Sequence, residues 1–397
     1  MKKHDEINEL LERGVDGVIV RTELEKKLRS RDKITLYLGI DPTGARLHLG
    51  HSIALRKLRD FQRLGHRVIF LIGNFTALIG DTSDKDSVRQ PLTQEQIEEN
   101  FQTYKAQAGK ILDFSKIEIR YNGDWLGKLN FKDILELANK FTVQQMIERE
   151  MYQQRIAKSK PIGLHEFLYP LMQGYDSVAM NVDLEVGGRD QLFNMLAGRT
   201  LQKIINHHEK HVLTVKLLEG TDGRKMAKTN NNVVNITDEP LDQYGKIMTI
   251  KDELIIQYFE LCTDLPMEVV TEIAQAIKAG QNPRDLKMRL AKEIVTMYHA
   301  DGEAQKAEAE FVKIFQCHSK PTDIPEKTLL EKSYKIIDLL AVCGLAPSKS
   351  EARRLVEAGG VSVDDEKITD PNFVLTLSKK GFLVKVGKRH FMHVKGS

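Results

Sequence analysis

Apolar positions in the first half of the chain follow two rhythms. Short β-type runs, Leu36-Tyr37-Leu38-Gly39-Ile40, Val68-Ile69-Phe70-Leu71-Ile72, Ile117-Glu118-Ile119-Arg120-Tyr121, Asp183-Leu184-Glu185-Val186 and Val212-Leu213-Thr214-Val215, alternate with longer stretches of helical spacing. Between the first two runs Ile53, Leu55, Leu58, Phe61 and Leu64 recur on one helical face, and Gly65 stands where a left-handed residue would close the helix. This alternation predicts an α/β domain over residues 1–221: a Rossmann-like parallel sheet with helices on both faces, an architecture that binds nucleotides. The stretch from Phe131 to Lys158 reads as one long helix whose Met146, Ile147 and Met151 serve core or interface. Leu164 to Met180 is apolar nearly all round, which marks a buried helix that Pro170 starts or kinks.

Past Asp222 the β-type runs stop. Asp252 to Phe315 carries Lys, Arg and Glu between apolar positions, with Pro266 and Pro283 as breakers, and predicts an α-helical domain within 222–317. Residues 318–333, with Pro321 and Pro325 and little apolar content, read as a linker. A small α+β domain over 334–397 is expected from a capped basic helix at Ser348-Lys349-Ser350-Glu351-Ala352-Arg353-Arg354 and a turn into a strand at Gly359-Gly360-Val361.

Composition narrows the class. With 397 residues the chain can bury more than one core, and 41% hydrophobic with 29% charged residues is ordinary for a globular protein. No apolar run approaches the roughly 18 residues of a membrane span, and the charged start lacks the pattern of a signal peptide, so the expectation is a cytoplasmic protein without membrane contact. Cys262, Cys343 and Cys317 are far apart, which suggests neither a disulfide framework nor a thiolate metal site. The net charge of +3 is unevenly spread: from Tyr334 onward 11 Lys and Arg stand against 7 Asp and Glu, leaving 48 against 49 before it. That basic excess suits a polyanionic partner or simply a solvated face.

Chemistry concentrates in two segments. Directly after the first strand comes Asp41-Pro42-Thr43-Gly44-Ala45-Arg46-Leu47-His48-Leu49-Gly50-His51, where a strand end meets a helix N-terminus and anionic ligands are favoured. His48 and His51 lie three apart in the first turn, and Gly50 allows close approach to the backbone. After the last strand comes Asp222-Gly223-Arg224-Lys225-Met226-Ala227-Lys228-Thr229, a loop whose two lysines can neutralise charge on a leaving pyrophosphate. Taken singly, the first is also what a surface helix start shows and the second what a basic turn shows. Together they resemble the paired signatures of class I aminoacyl-tRNA synthetases, His48-Leu49-Gly50-His51 matching the HIGH motif and Lys225-Met226-Ala227-Lys228-Thr229 the KMSKS motif. Ala227 and Thr229 replace its two serines, while both lysines remain.

Tyr169, Gln173 and Asp176 form one polar stripe on the otherwise apolar helix, and a buried carboxylate needs partners, whether internal or a ligand. Here the resemblance narrows to tyrosyl-tRNA synthetases, in which Tyr37 and Asp176 would hold the phenolic hydroxyl of the substrate, so that phenylalanine leaves both unpaired; such hydroxyl-dependent discrimination is commonly illustrated with this very family. By the same resemblance Tyr169, Gln173 and Asp81 would hold the α-amino group of L-tyrosine, Asp190 and Gln191 the ribose and reacting carboxyl region, and Asp41, Thr43 and Gly50 would lie beside ATP. Glu185 stands where some relatives have glutamine. His48, His51, Lys225, Lys228 and Thr43 would stabilise the transition state, with Mg2+ accompanying ATP and no tightly held protein-ligated metal. The tail resembles a small RNA-binding fold of a ribosomal small-subunit protein, making Lys349, Arg353 and Arg354 candidates for RNA phosphate unless they only form salt bridges along an exposed helix. Partners implied are tRNA(Tyr) and a second copy of the chain in a homodimer.

Overall fold

The computed structural model describes residues 5–30, 32–42, 46–80, 93–227, 230–315, 324–330, 333–387 and 390–396. Thr43, Asp81, Lys228, Thr229 and Cys317 therefore lie outside the described residues. Two compact units emerge, one formed by the chain up to Asp238 with Lys246–Tyr298, the other by Glu239–Gly245 with His299–Ser397.

The first unit is built on a six-stranded sheet of β1 (Val15–Ile19), β2 (Thr35–Ile40), β3 (Arg67–Ile72), β4 (Ile117–Tyr121), β5 (Leu184–Gly188) and β6 (His211–Val215), ordered β1-β6-β5-β2-β3-β4. The last five positions of that order are parallel neighbours and β1 closes one edge antiparallel to β6. The inner strands form because their side chains are apolar on both faces: Leu36, Tyr37 and Leu38, and Val68 to Ile72, are all buried. The helix Leu49–Arg63 lays Leu49, Ile53, Leu55, Leu58 and Phe61 into the core, and Gly65, at φ +83°, ends it as read from the sequence. The chain leaves β2 toward β3 and β4 on one side, while β5 and β6 add on the other, so the strand order reverses between β2 and β5. That crevice is where open α/β sheets bind ligands.

Three sequence expectations change. The stretch from Phe131 to Lys158 is not one helix but three, Phe131–Ala138, Val143–Ile147 and Glu150–Ala157. Asn130 and Thr142 each cap the turn that follows, Thr142 accepting from Gln145 N–H while the Gln145 side chain accepts from Thr142 N–H, and these local bonds replace helix continuation. Leu164–Phe167 is a 3₁₀ turn, after which the buried helix runs Tyr169–Met180 with Pro170 in its first turn. The helices Ile255–Cys262, Met267–Lys278 and Pro283–His299 follow, Pro266 and Pro283 standing at the starts of the last two.

In the second unit the helix Asp301–Phe315 packs Phe311 against Tyr244, ring centroids 5.2 Å apart. The tail carries β7 (Glu326–Leu329), β8 (Ser333–Lys335), β9 (Val361–Val363), β10 (Glu366–Ile368), β11 (Val374–Thr376), β12 (Phe382–Val386) and β13 (His390–Gly396). Five of them form a sheet ordered β10-β9-β12-β13-β7, and β8 pairs with β11. The third changed expectation is the linker: Glu326–Leu329 is instead a strand of this sheet, parallel to β13. Pro325 obscured it, yet a proline just ahead of an edge strand costs no ladder bond, and its carbonyl accepts from His393 N–H at 2.8 Å. Helices Ile336–Val342 and Lys349–Glu357 cover the sheet with Ile336, Leu339, Leu340, Ala352 and Val356, against Val361, Val384 and Val394. Ser348 caps the second helix by accepting from Glu351 N–H. Cys262 and Cys343 are buried free thiols, and among the described residues no helix is long and apolar enough to cross a membrane.

Candidate active site at the strand-order reversal

His48 caps the helix Leu49–Arg63, and its ring stacks at a tilt on that of His51, centroids 3.8 Å apart. The His48 backbone N–H donates to His51 Nδ1 at 3.2 Å, so the neutral His51 ring carries its proton on Nε2. Gly50 leaves room for this arrangement, because a Cβ there would sit 3.0 Å from the His48 ring and push it by a few tenths of an ångström. The segment beyond the lysine loop pairs with the histidine segment: Leu49 N–H donates to Val234 O and Ile236 N–H to Leu47 O, both at 2.9 Å, with a bridge between His48 and Asn235. Met226 is buried, its sulfur 3.9 Å from where a Gly50 Cβ would lie, so the two signatures that are far apart in sequence adjoin in space. Lys225 reaches Asp190 at 3.3 Å, bringing together a residue expected to stabilise the transition state and one expected at the nucleotide.

At the ends of β2 and β3, Asp41 accepts from Thr76 Oγ1 at 2.7 Å and from the Tyr169 hydroxyl at 2.8 Å. Gly73 makes this possible, since a Cβ on it would lie 1.9 Å from Asp41 Oδ1. One turn on, Gln173 Nε2 donates to Glu185 at 3.1 Å while its Oε1 accepts from Asn194, which also donates to Gln191, each at 3.0 Å. Asp176, another turn along, accepts from Trp125 Nε1 at 2.7 Å and Asn122 Nδ2 at 3.3 Å. The polar stripe is thus met by residues from several elements.

Trp125 links Tyr37 and Asp176: it packs against the buried cluster of Tyr37, Ile69, Leu71 and Val182 while it bonds Asp176. Tyr37 and Asp176 do not bond each other directly: the Tyr37 hydroxyl pairs with Ser177 Oγ at 2.9 Å. Burial pushes the Tyr37 phenol well up, with Glu185 and Asp176 adding to the effect, so it remains a neutral donor. Burial likewise drives the Asp176 carboxyl well above the usual range, and the two donated hydrogen bonds only partly oppose it. Sequence reasoning missed Trp125, Asn122, Ser177, Asn194 and Lys210. Lys210 is fully buried and bonds Glu185 and Ser177, although it sits in a polar run, His207-His208-Glu209-Lys210, that reads as surface.

The tail candidates lie in the second unit. All three are exposed and paired within it, Lys349 with Asp338 at 2.7 Å, Arg354 with Glu351 at 2.5 Å and Arg353 with Glu357 at 3.9 Å.

Comparison with known proteins places this geometry. Residues 29–316 match the tRNA synthetases of class I (W and Y), and residues 316–394 match the SYY-like C-terminal domain of tyrosine–tRNA ligases. The fold and paired signatures thus define a class I synthetase. The tyrosine–tRNA ligases of Carboxydothermus hydrogenoformans and Thermotoga maritima are each 45% identical to it, over 97% and 98% of this chain and 97% and 96% of theirs. The chain belongs to the tyrosyl-tRNA synthetase family. Its fold is shared with the Archaeoglobus fulgidus tyrosyl-tRNA synthetase solved with L-tyrosine, at TM-score 0.62 and 23% identity over 76% of this chain and 99% of that one. A C-terminally truncated mitochondrial tyrosyl-tRNA synthetase of Aspergillus nidulans superposes at TM-score 0.66 and 21% identity, covering 79% of this chain and 95% of the other.

Proposed function

We propose that the chain joins L-tyrosine to the 3′ end of tRNA(Tyr) in two steps through a tyrosyl-adenylate. A carboxylate oxygen of tyrosine attacks the α-phosphorus of ATP, the bond to the β-phosphate oxygen breaks, and pyrophosphate leaves. A ribose hydroxyl at the tRNA 3′ end then attacks the activated carbonyl and AMP leaves. The observation that carries this reading is the pairing of the histidine segment with the segment after the lysine loop, with buried Met226 beside Gly50.

In this scheme His48, His51, Lys225 and Lys228, with Thr43, stabilise charge on the phosphates as the transition state forms, and no side chain acts as nucleophile. Magnesium would accompany ATP as part of that substrate and offset charge on its phosphates. Tyr37 and Asp176 hold the phenol, Tyr169, Gln173 and Asp81 the ammonium, Gln191 the carboxyl region, and Asp41, Gly50 and Asp190 border the nucleotide. Because Tyr169 donates to Asp41, the amino-acid and nucleotide sides are coupled through one hydrogen bond. Lys349, Arg353 and Arg354 would meet tRNA phosphate by exchanging their exposed intradomain partners, which exposed ion pairs allow at little cost. A homodimer is supported by exposed Phe131, Leu135, Val143, Ile156 and Leu164, all within residues 131–164. The cytoplasm suits this chemistry, where ATP and tRNA are present.

The test is exchange of labelled pyrophosphate into ATP with each amino acid in turn. Tyrosine alone should support rapid exchange; equal exchange with tryptophan or phenylalanine would overturn the assignment.

A further inference from the structure

Beside Tyr37 in the sheet lies a buried ion pair that the scheme above does not use. Lys210, just ahead of β6, and Glu185, on β5, are both buried and bonded. Glu185 is the register partner of Tyr37 where β5 and β2 adjoin, so the pair sits under the point of strand-order reversal. Burying two charges rarely stabilises a fold more than apolar residues of the same shape would, so stability alone does not account for the pair.

Its hydrogen bonds run outward in two arms. Lys210 Nζ donates to Ser177 Oγ at 2.8 Å, and Ser177 Oγ pairs with the Tyr37 hydroxyl at 2.9 Å. Gln173 Nε2 donates to Glu185 Oε1 at 3.1 Å, and Gln173 Oε1 takes the Asn194 amide at 3.0 Å. Space for the junction is made by Gly198, where a Cβ would lie 2.6 Å from Lys210 Nζ and 2.7 Å from Ser177 Oγ.

We propose that Lys210 and Glu185 are positioning residues that set the hydrogen-bond polarity of the tyrosine pocket, Lys210 through Ser177 to Tyr37 and Glu185 directly to Gln173. An ammonium only donates and a carboxylate only accepts. In the arrangement proposed, Ser177 Oγ accepts from Lys210 and turns its own proton to Tyr37, and the Tyr37 proton, for which Glu185 is the other acceptor nearby, points at the phenolic oxygen of the substrate once tyrosine is bound. Glu185 captures the NH₂ side of Gln173, so the amide cannot flip, and its oxygen, which takes the Asn194 amide, keeps a second lone pair for the substrate's ammonium. The substrate phenol then donates to Asp176 and accepts from Tyr37.

This inference rests on the tyrosine-pocket reading above, and its test separates the two. Ser177→Ala and the neutral double variant Glu185→Gln/Lys210→Met, neither of which leaves a lone buried charge, are compared with the full-length wild type in pyrophosphate exchange. The expected result for both is a tyrosine KM raised about tenfold and a tyrosine-over-phenylalanine preference reduced about tenfold, roughly the worth of one hydrogen bond to a polar pocket, with kcat and the ATP KM within about twofold. An unchanged tyrosine KM and preference in both variants, with only the single Lys210→Met lowering the melting temperature, would show the pair to be structural and overturn the proposal. Absence of tyrosine-dependent exchange in the wild type would overturn the pocket reading itself.

Discussion

Replacing Asp176 with Asn tests the pocket with opposite signs for binding and stability. The carboxyl is buried, with Oδ1 accepting from Trp125 and Oδ2 from Asn122. An amide keeps the shape but turns one acceptor into a donor, so whichever way it faces, its NH₂ meets an N–H. The shorter bond is to Trp125, at 2.7 Å against 3.3 Å, so the amide oxygen should stay with Trp125 and the nitrogen face Asn122. A hydrogen bond to a charged acceptor is worth about 1.5–3 kcal/mol, so tyrosine should bind on the order of 10- to 150-fold more weakly. Stability moves the other way. Burial raises the folded-state pKa of Asp176 above its unfolded value, so the stability present at acid pH is lost as pH rises through the raised value. Ligand-free Asp176→Asn should therefore melt no lower than wild type near neutral pH, and any advantage should shrink toward pH ~4. Trp125 is the chain's single tryptophan and touches the mutated group, so its emission reports tyrosine binding directly. A variant that bound tyrosine as wild type does but melted lower at neutral pH would refute the reasoning, because Asp176 would then serve only Trp125 and Asn122.

Three further outcomes follow from the structure. His51→Ala should slow pyrophosphate exchange about 100- to 1000-fold while tyrosine affinity, read by Trp125 emission, stays unchanged; a large affinity change with normal activation would count against the transition-state role. Arg155 and Glu166 are both buried and doubly bonded, at 2.5 and 2.9 Å, so Glu166→Ala strands a charge and should cost about 3–5 kcal/mol in urea unfolding. Burial pushes the Lys57 ammonium, which donates to Leu10 O at 2.7 Å, down to about 8. Because that folded value lies below the unfolded one, wild-type stability should rise relative to Lys57→Met between pH about 8 and 10.5, by about 3 kcal/mol at most, and a flat difference would exclude a buried charge there.

What could be read in the sequence depended on how local the signal was. The inner strands are apolar on both faces, so a run such as Val68 to Ile72 declares itself, whereas β1, half-buried at an edge and carrying Asp16 and Gly17, left no such run and went unseen. The histidine and lysine signatures are contiguous segments and were legible. Their adjacency was not, since it depends on the pairing of Leu47 and Leu49 with Ile236 and Val234 across nearly half the chain.

The polar stripe on the helix Tyr169–Met180 shows where the boundary between legible and hidden falls. Three polar residues one turn apart on an apolar helix announce a demand for partners, because an unmet buried polar group costs about 1–3 kcal/mol. Nothing in the local sequence says who meets it. The fold supplies Asp41 from the end of β2 for Tyr169, Glu185 from β5 for Gln173, and Asn122 and Trp125 from just beyond β4 for Asp176. Strand order sets that supply: with β5 lodged beside β2, Tyr37 comes opposite Glu185, and the lysine ahead of β6 can reach both Glu185 and Ser177. A buried Lys210 is costly unless paired, and the pairing exists only in this topology, so the same residue that reads as surface in the sequence becomes the hinge of the pocket's hydrogen bonds.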